Sequence, residues 1–233
     1  MTKIAIIYHS GYGHTETQAK SVFEGANSVE GCEAKLFTSQ EAIENIDELD
    51  NFDAMIFGSP TYMGSVSAKF KEFMEAASKK WLKHEWKDKI AAGFTNSHSL
   101  SGDKLNTLIQ MSVFAAQHAM IWVGVGDLNQ SPDGEPGKID KVNRLGGFLG
   151  AMAQSENDSP ENTPPEGDHK TAKRHGERVA KITKKINVSN KTPPKYITLS
   201  NNGAPITLIS VLALFSDLIK IIYILVMHIF IIT

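Results

Sequence analysis

The sequence predicts an α/β fold in which a parallel, doubly wound sheet is covered by helices on both faces. Three observations carry this expectation. Apolar runs of strand length at residues 3–8, 53–58, 90–94 and 119–125 alternate with amphipathic helical stripes. The runs are apolar on successive residues, as strands buried on both faces require. The first three of these runs stop abruptly in loops of small, hydroxyl or amide residues, and in such folds a ligand sits outside the carboxyl ends of the strands.

Each element follows in turn. After the first run, Ala19, Val22, Phe23 and Ala26 lay one apolar stripe along a helix. Residues 33–37 form a short second strand, and Ser39 is placed to cap a weak helix carrying Ile43, Ile46 and Leu49. The third run, D-A-M-I-F-G, leads into a loop at residues 59–64. Phe70, Phe73, Met74 and Ala77 then repeat the helical stripe, which ends near Trp81. The fourth run gives way to a polar loop at residues 95–102, followed by a helix opened by Leu105, Leu108 and Ile109. The fifth is A-M-I-W-V-G-V. Residues 126–143 read as loop, with turn signals at Pro132-Asp133-Gly134 and Pro136-Gly137. The Gly-rich run at residues 146–153 reads as an edge-strand segment with tight backbone approaches. A Pro-rich loop at 157–167 precedes a closing helix with Ala172, Val179, Ala180 and Ile186, ending near Asn187.

Composition narrows the function. A net charge of -2 gives no reason to expect a nucleic-acid partner, because phosphate-backbone binders concentrate basic surface. Cys32 is the only cysteine, which excludes an intrachain disulfide and any cysteine-based metal or iron–sulfur site. The amino terminus enters the first strand without signal-peptide architecture, so the expected location is cytoplasmic.

The loop Ser10-Gly11-Tyr12-Gly13-His14-Thr15 opens a helix whose first N–H groups and dipole favour an anion. It is not a P-loop, since no Gly-Lys-Ser/Thr ending supplies a lysine or a magnesium ligand. It is not a G-x-G-x-x-G fingerprint either, because Glu16 stands at the third glycine position. What remains is a monophosphate held by backbone N–H groups with the Ser10 and Thr15 hydroxyls.

These residues carry a resemblance. The 10–15 loop, the segment Gly58-Ser59-Pro60-Thr61-Tyr62-Met63-Gly64 and the 96–101 loop resemble the three FMN loops of flavodoxin-like proteins. The spacing is most similar to NAD(P)H:quinone oxidoreductases of the tryptophan-repressor-binding-protein type. The resemblance covers residues 1–187 and implies a five-stranded sheet of order 2-1-3-4-5. It implies bound FMN, with Ser10, Gly11, Tyr12, Gly13, His14 and Thr15 on the phosphate. Pro60, Thr61, Tyr62, Met63 and Gly64 would line the ring, and Asn96, Ser97, His98, Ser99, Leu100 and Ser101 would contact it. Trp81 falls where the family brings an aromatic residue to the flavin face, often across a subunit interface, and Gln117 falls where the family has a histidine near the flavin. Glutamine can hydrogen-bond but cannot relay a proton. Tyr62 stands where closer relatives have arginine. The implied activity passes a hydride from NAD(P)H through FMN to a quinone with no catalytic side chain and no metal. The alternative is a flavodoxin-type electron carrier, although a net charge of -2 lends little to an acidic docking face. A homo-oligomer is also implied, but the family's longer insertion between strands two and three is missing.

A polar linker at 188–205 precedes a hydrophobic segment at 206–233, interrupted by Asp217 and Lys220. As a helix its 28 residues would reach about 42 Å, more than the roughly 30 Å of bilayer hydrocarbon. The segment is read either as a membrane anchor for a cytoplasmic flavin domain or as an appendage foreign to the family.

Overall fold

The computed structural model describes residues 1–131 and 138–191. The expected turns at 132–137, most of the linker and the whole hydrophobic segment lie outside them. The described chain runs β1 (Thr2–Tyr8), α1 (His14–Asn27), β2 (Cys32–Thr38), α2 (Ser39–Glu44), a 3-10 turn (Glu48–Asn51), β3 (Ala54–Tyr62) and β4 (Ser65–Val66). It continues through α3 (Ala68–Ala76), α4 (Ser78–Leu82), β5 (Ile90–Ser97), α5 (Lys104–Gln117), β6 (Ile121–Trp122), β7 (Ala151–Gln154) and α6 (Glu166–Lys191).

The sheet has the order β2-β1-β3-β5, with the outer edge of β5 shared by β6 and then β7, all parallel. This is the doubly wound, flavodoxin-like order 2-1-3-4-5, with its fifth position divided between two short strands. Two glycines explain the division. A Cβ on Gly124 would stand 2.6 Å from the Phe148 carbonyl oxygen, and one on Gly150 would stand 2.4 Å from that of Gly93. The chain therefore leaves β5 after Val123, whose N–H still reaches the Ala91 carbonyl at 2.8 Å, and the returning β7 takes over the edge from Phe94 to Ser97.

Alternate residues of β1 feed two cores. Ala5 and Ile7 join Phe57, Phe70, Phe73, Trp86 and Phe114 on one face, where the rings pack at centroid distances of 5.3 to 6.4 Å. Ile4, Ile6 and Tyr8 join Ala19, Val22, Val179 and Ala180 on the other, beneath α1 and α6. Those two helices cross closely. A Cβ on Gly25 would meet the Lys173 carbonyl oxygen at 1.8 Å, and one on Gly176 the Val22 carbonyl oxygen at 2.1 Å.

Several boundaries differ from the sequence expectations. Thr38, rather than Ser39, caps α2: its hydroxyl accepts from Glu41 N while the Glu41 carboxylate accepts from Thr38 N, a closed capping box. The helix ends at Glu44, so Ile46 and Leu49 fall outside it and Leu49 is buried in the 3-10 turn. β3 and β5 run on to Tyr62 and Ser97, through residues expected to be loop. Their polar side chains satisfy one another: Thr61 Oγ1 lies 2.8 Å from both Thr95 Oγ1 and Thr107 Oγ1, all buried. Beyond Gly58, β3 has lost β1 as a neighbour, the edge setting in which Pro60 is tolerated. α6 continues through Val188 to Lys191 because no helix breaker stands before Pro193. Among the described residues no helix is long and apolar enough to cross a membrane.

Candidate active site

The carboxyl ends of β1, β3, β5 and β7 open on a cleft of about 590 Å³. Its phosphate end follows from the start of α1. Gly13 sits at φ 90°, a left-handed conformation that glycine adopts without penalty, and no side chain caps the helix. The N–H groups of the first turn are thus left for an incoming acceptor. Ser10 Oγ accepts from Gly13 N at 3.0 Å and fixes the loop. Thr15, 2% exposed, lines the cleft, and its hydroxyl has no partner among the described residues. The cradle is tight: a Cβ on Gly13 would lie 2.5 Å from Pro160 Cγ, and one on Gly11 would lie 2.4 Å from the Tyr62 hydroxyl oxygen. A bond of 2.8 Å between His14 Nε2 and the Asp158 carbonyl ties the loop to the segment after β7.

The remaining walls come from Pro60, Thr61 and Tyr62 on one side and Asn96, Ser97 and His98 on the other. Ser155 Oγ donates to Asn96 Oδ1 at 3.0 Å, joining the end of β5 to the segment after β7. Ser155, Glu156, Asn157 and Asp158 also line the cleft, four positions outside the expected site residues. The sequence carries the signal: a Gly-rich strand segment precedes them, and the loop after it has the same polar character as the other three.

The expected site residues divide accordingly. Ser10, Gly11, Tyr12, His14, Thr15, Pro60, Thr61, Tyr62, Asn96, Ser97 and His98 converge on the cleft, and Gly13 shapes it from behind. Met63 and Gly64, both at positive φ, form the two-residue turn between β3 and β4, which leaves Met63 fully exposed beside the cleft mouth. The Ser99 carbonyl turns inward to the Lys104 ammonium. Leu100 and Ser101 face a different, larger cleft of about 980 Å³, walled by Arg144, Phe148 and Met152. Trp81 and Gln117 are not brought to the cofactor cleft of this chain. Trp81 lies on α4, next to the Lys80 that pairs with Asp50 at the amino ends of the strands. Gln117 ends α5, two residues before the Ala119 carbonyl that accepts from Asp88 N ahead of β5. A helix following a strand in this fold descends the sheet, so residues at its far end sit opposite the ligand.

Among the described residues no lysine or arginine lines the cleft, and Glu156 and Asp158 place carboxylates at its rim. A single phosphate held by helix N–H groups fits that arrangement, with a flat ring between the Pro60–Tyr62 and Asn96–His98 walls. The fold and the cleft define a flavodoxin-like FMN protein. Residues 12–129 match the NADPH-dependent FMN reductase family, and the chain belongs to that family. It is 41% identical over 191 residues to flavodoxin FldP of Pseudomonas aeruginosa, covering 80% of this chain and 99% of that protein. To an NAD(P)H dehydrogenase (quinone) of Archaeoglobus fulgidus it is 29% identical over 208 residues, 80% of this chain and all of that one. The crystal structure of a WrbA-like flavodoxin from Agrobacterium tumefaciens superposes with a TM-score of 0.62 at 38% identity, over 79% of this chain and 99% of that one. FMN is the cofactor, and the family is one of oxidoreductases.

Proposed function

We propose that the chain is an NAD(P)H:quinone oxidoreductase in which FMN stays bound while a nicotinamide and then a quinone use the same open face of the cleft. The observation that carries this reading is the polarity of the site. The phosphate end is backed by an uncapped helix start and a buried threonine, whereas the mouth is flanked by Tyr12, Tyr62 and Met63, which are 78%, 39% and 102% exposed. Buried donors suit a resident cofactor, and exposed aromatic and thioether surface suits flat, transient ring substrates. When bound, FMN supplies the two-electron chemistry.

The protein's own share is binding and orientation. The α1 N–H groups with Ser10 and Thr15 would hold the phosphate, Thr61 and Asn96–His98 would flank the ring, and Ser155 holds Asn96 in place. No side chain needs to act as a nucleophile. The residues proposed to meet the cofactor are therefore those that converge on the cleft; Trp81 and Gln117 could reach a flavin only in a second copy.

Steady-state oxidation of NADH and NADPH with benzoquinone tests the reading. Turnover dependent on both nucleotide and quinone is expected. An FMN-loaded sample that oxidises neither nucleotide would instead make the chain an electron carrier, the reading favoured by its 41% identity to a protein named flavodoxin.

A further inference from the structure

Lys104, the first residue of α5, is 1% exposed. Its Nζ donates to Ser97 Oγ at 2.8 Å and to the Ser99 carbonyl at 2.6 Å. Gly102 and Asp103, at φ 54° and 55°, turn the chain so that this ammonium comes back under the loop it has just left. A second set of buried groups braces the same loop. Arg144 donates from Nε and Nη2 to the two Asp168 oxygens at 2.7 and 2.8 Å. Asp168 Oδ2 also accepts from Gln154 N at 2.9 Å, and Gln154 Nε2 donates to the His98 carbonyl at 3.2 Å.

The charges in this cluster do not cancel. Arg144 and Asp168 neutralise each other, and among the described residues Lys104 pairs with no carboxylate. The ionisable groups around it are Asp168 from α6, Arg144 from the segment between β6 and β7, and the exposed His98 and Asp103 of its own segment. Burial pushes the Lys104 ammonium down to about 8; Asp168 opposes that and Arg144 adds to it. An uncompensated buried ammonium is costly, and a methionine would fill the same space without that cost. Its position is informative because Ser97, which it holds directly, forms one wall of the cofactor cleft together with His98, which Gln154 holds.

We propose that Lys104 sets the reduction potential of the bound FMN: its charge, fixed under the third cofactor loop, favours the negatively charged reduced ring over the neutral oxidised ring. Taking a hydride from NAD(P)H brings two electrons and one proton onto the flavin, leaves NAD(P)⁺, and gives the ring one negative charge. Charge near the ring is one of the few means by which a protein tunes a flavin. Lys104 is thus a positioning residue with an electrostatic role. The inference rests on FMN occupying the cleft and holds whichever acceptor takes the electrons.

The test is the midpoint potential of bound FMN in Lys104→Gln and Lys104→Met, read with the affinities for oxidised and reduced FMN. Glutamine keeps a donor for Ser97 and Ser99 and removes the charge. Both variants are expected to lose about tenfold in the preference for reduced over oxidised FMN, a fall of about 30 mV for a two-electron couple. If both affinities fall together and the potential stays at the wild-type value, Lys104 only pins the loop and the proposal is wrong. Wild-type protein supplies a measurement that needs no variant. Proton uptake per two electrons should rise from one towards two as the pH passes 8, because reduction recharges the lysine. Uptake fixed at one from pH 7 to 9.5 together with a wild-type potential in both variants overturns the proposal.

Discussion

Thr15 is the residue on which the phosphate assignment can be checked most directly. It is 2% exposed, it follows an uncapped helix start, and its hydroxyl has no partner within the described chain. Thr15→Val keeps the shape and removes the hydroxyl. FMN affinity, followed by quenching of FMN fluorescence, should weaken by about 1 to 3 kcal/mol, the range for a hydrogen bond to a charged group. An unchanged affinity would mean that the cradle has been misplaced. The loop was legible in the sequence because glycine spacing, hydroxyls and the start of a helical stripe are all local signals. Lys104 was not legible: a lysine after Gly102-Asp103 reads as the solvated start of a helix, and only the folded chain shows its ammonium turned under Ser99.

At the scale of elements, α5 and α6 each bury a histidine in an apolar setting. His175 on α6 is fully buried with neither ring nitrogen hydrogen-bonded; the Gly93 backbone lies close enough to favour the charged form slightly but outside bonding geometry. His118 caps α5, is 2% exposed and packs against Trp86 with the ring centroids 4.6 Å apart and the planes tilted by 31°. Burial pushes both down to about 4 from an ordinary 6.5. Because the folded value lies below the unfolded one, the unfolded chain takes up these protons first as the pH falls. Stability from keeping these rings neutral is therefore complete above about pH 6.5 and is lost progressively towards pH 4, by about 1.4 kcal/mol per pH unit for each histidine. Urea midpoints at pH 7.5 and 5.0 should differ clearly in the wild type and less in His175→Leu. An equal difference in both proteins would show that His175 titrates normally. The sequence showed the helices through their apolar stripes, yet it placed the ends of β3 and β5 too early. Ser59, Thr61, Thr95 and Asn96 look like loop residues one by one, and become strand only because each finds a buried partner in another element. The divided edge strand was half legible, since the Gly-rich run was read as a strand but the break at Gly124 was not.

Over the whole molecule, the two apolar cores and every residue of the cofactor cleft lie within Met1–Ser189, one of the two units into which the chain divides. A chain ending at Ser189 should therefore keep the thermal midpoint and FMN affinity of the full protein. A drop of several degrees with unchanged spectra would show that later residues contribute to the fold. Fold class was legible because burial on both faces of the sheet marks each strand in the sequence, whereas the strand order came from the family resemblance. Trp81 and Gln117 lie away from the cleft of a single chain, and the resemblance placed Trp81 at the flavin across a subunit interface, which one chain does not contain. The close crossing of α1 and α6, with Gly25 against Lys173 and Gly176 against Val22, has a consequence in time. Synthesis proceeds from the amino terminus, so the phosphate loop is the first part of the site to be made. Its helix finds the partner that covers its apolar face only when Glu166–Lys191 has been added. The nascent chain thus carries its phosphate loop early and becomes able to keep FMN only once α6 has been made.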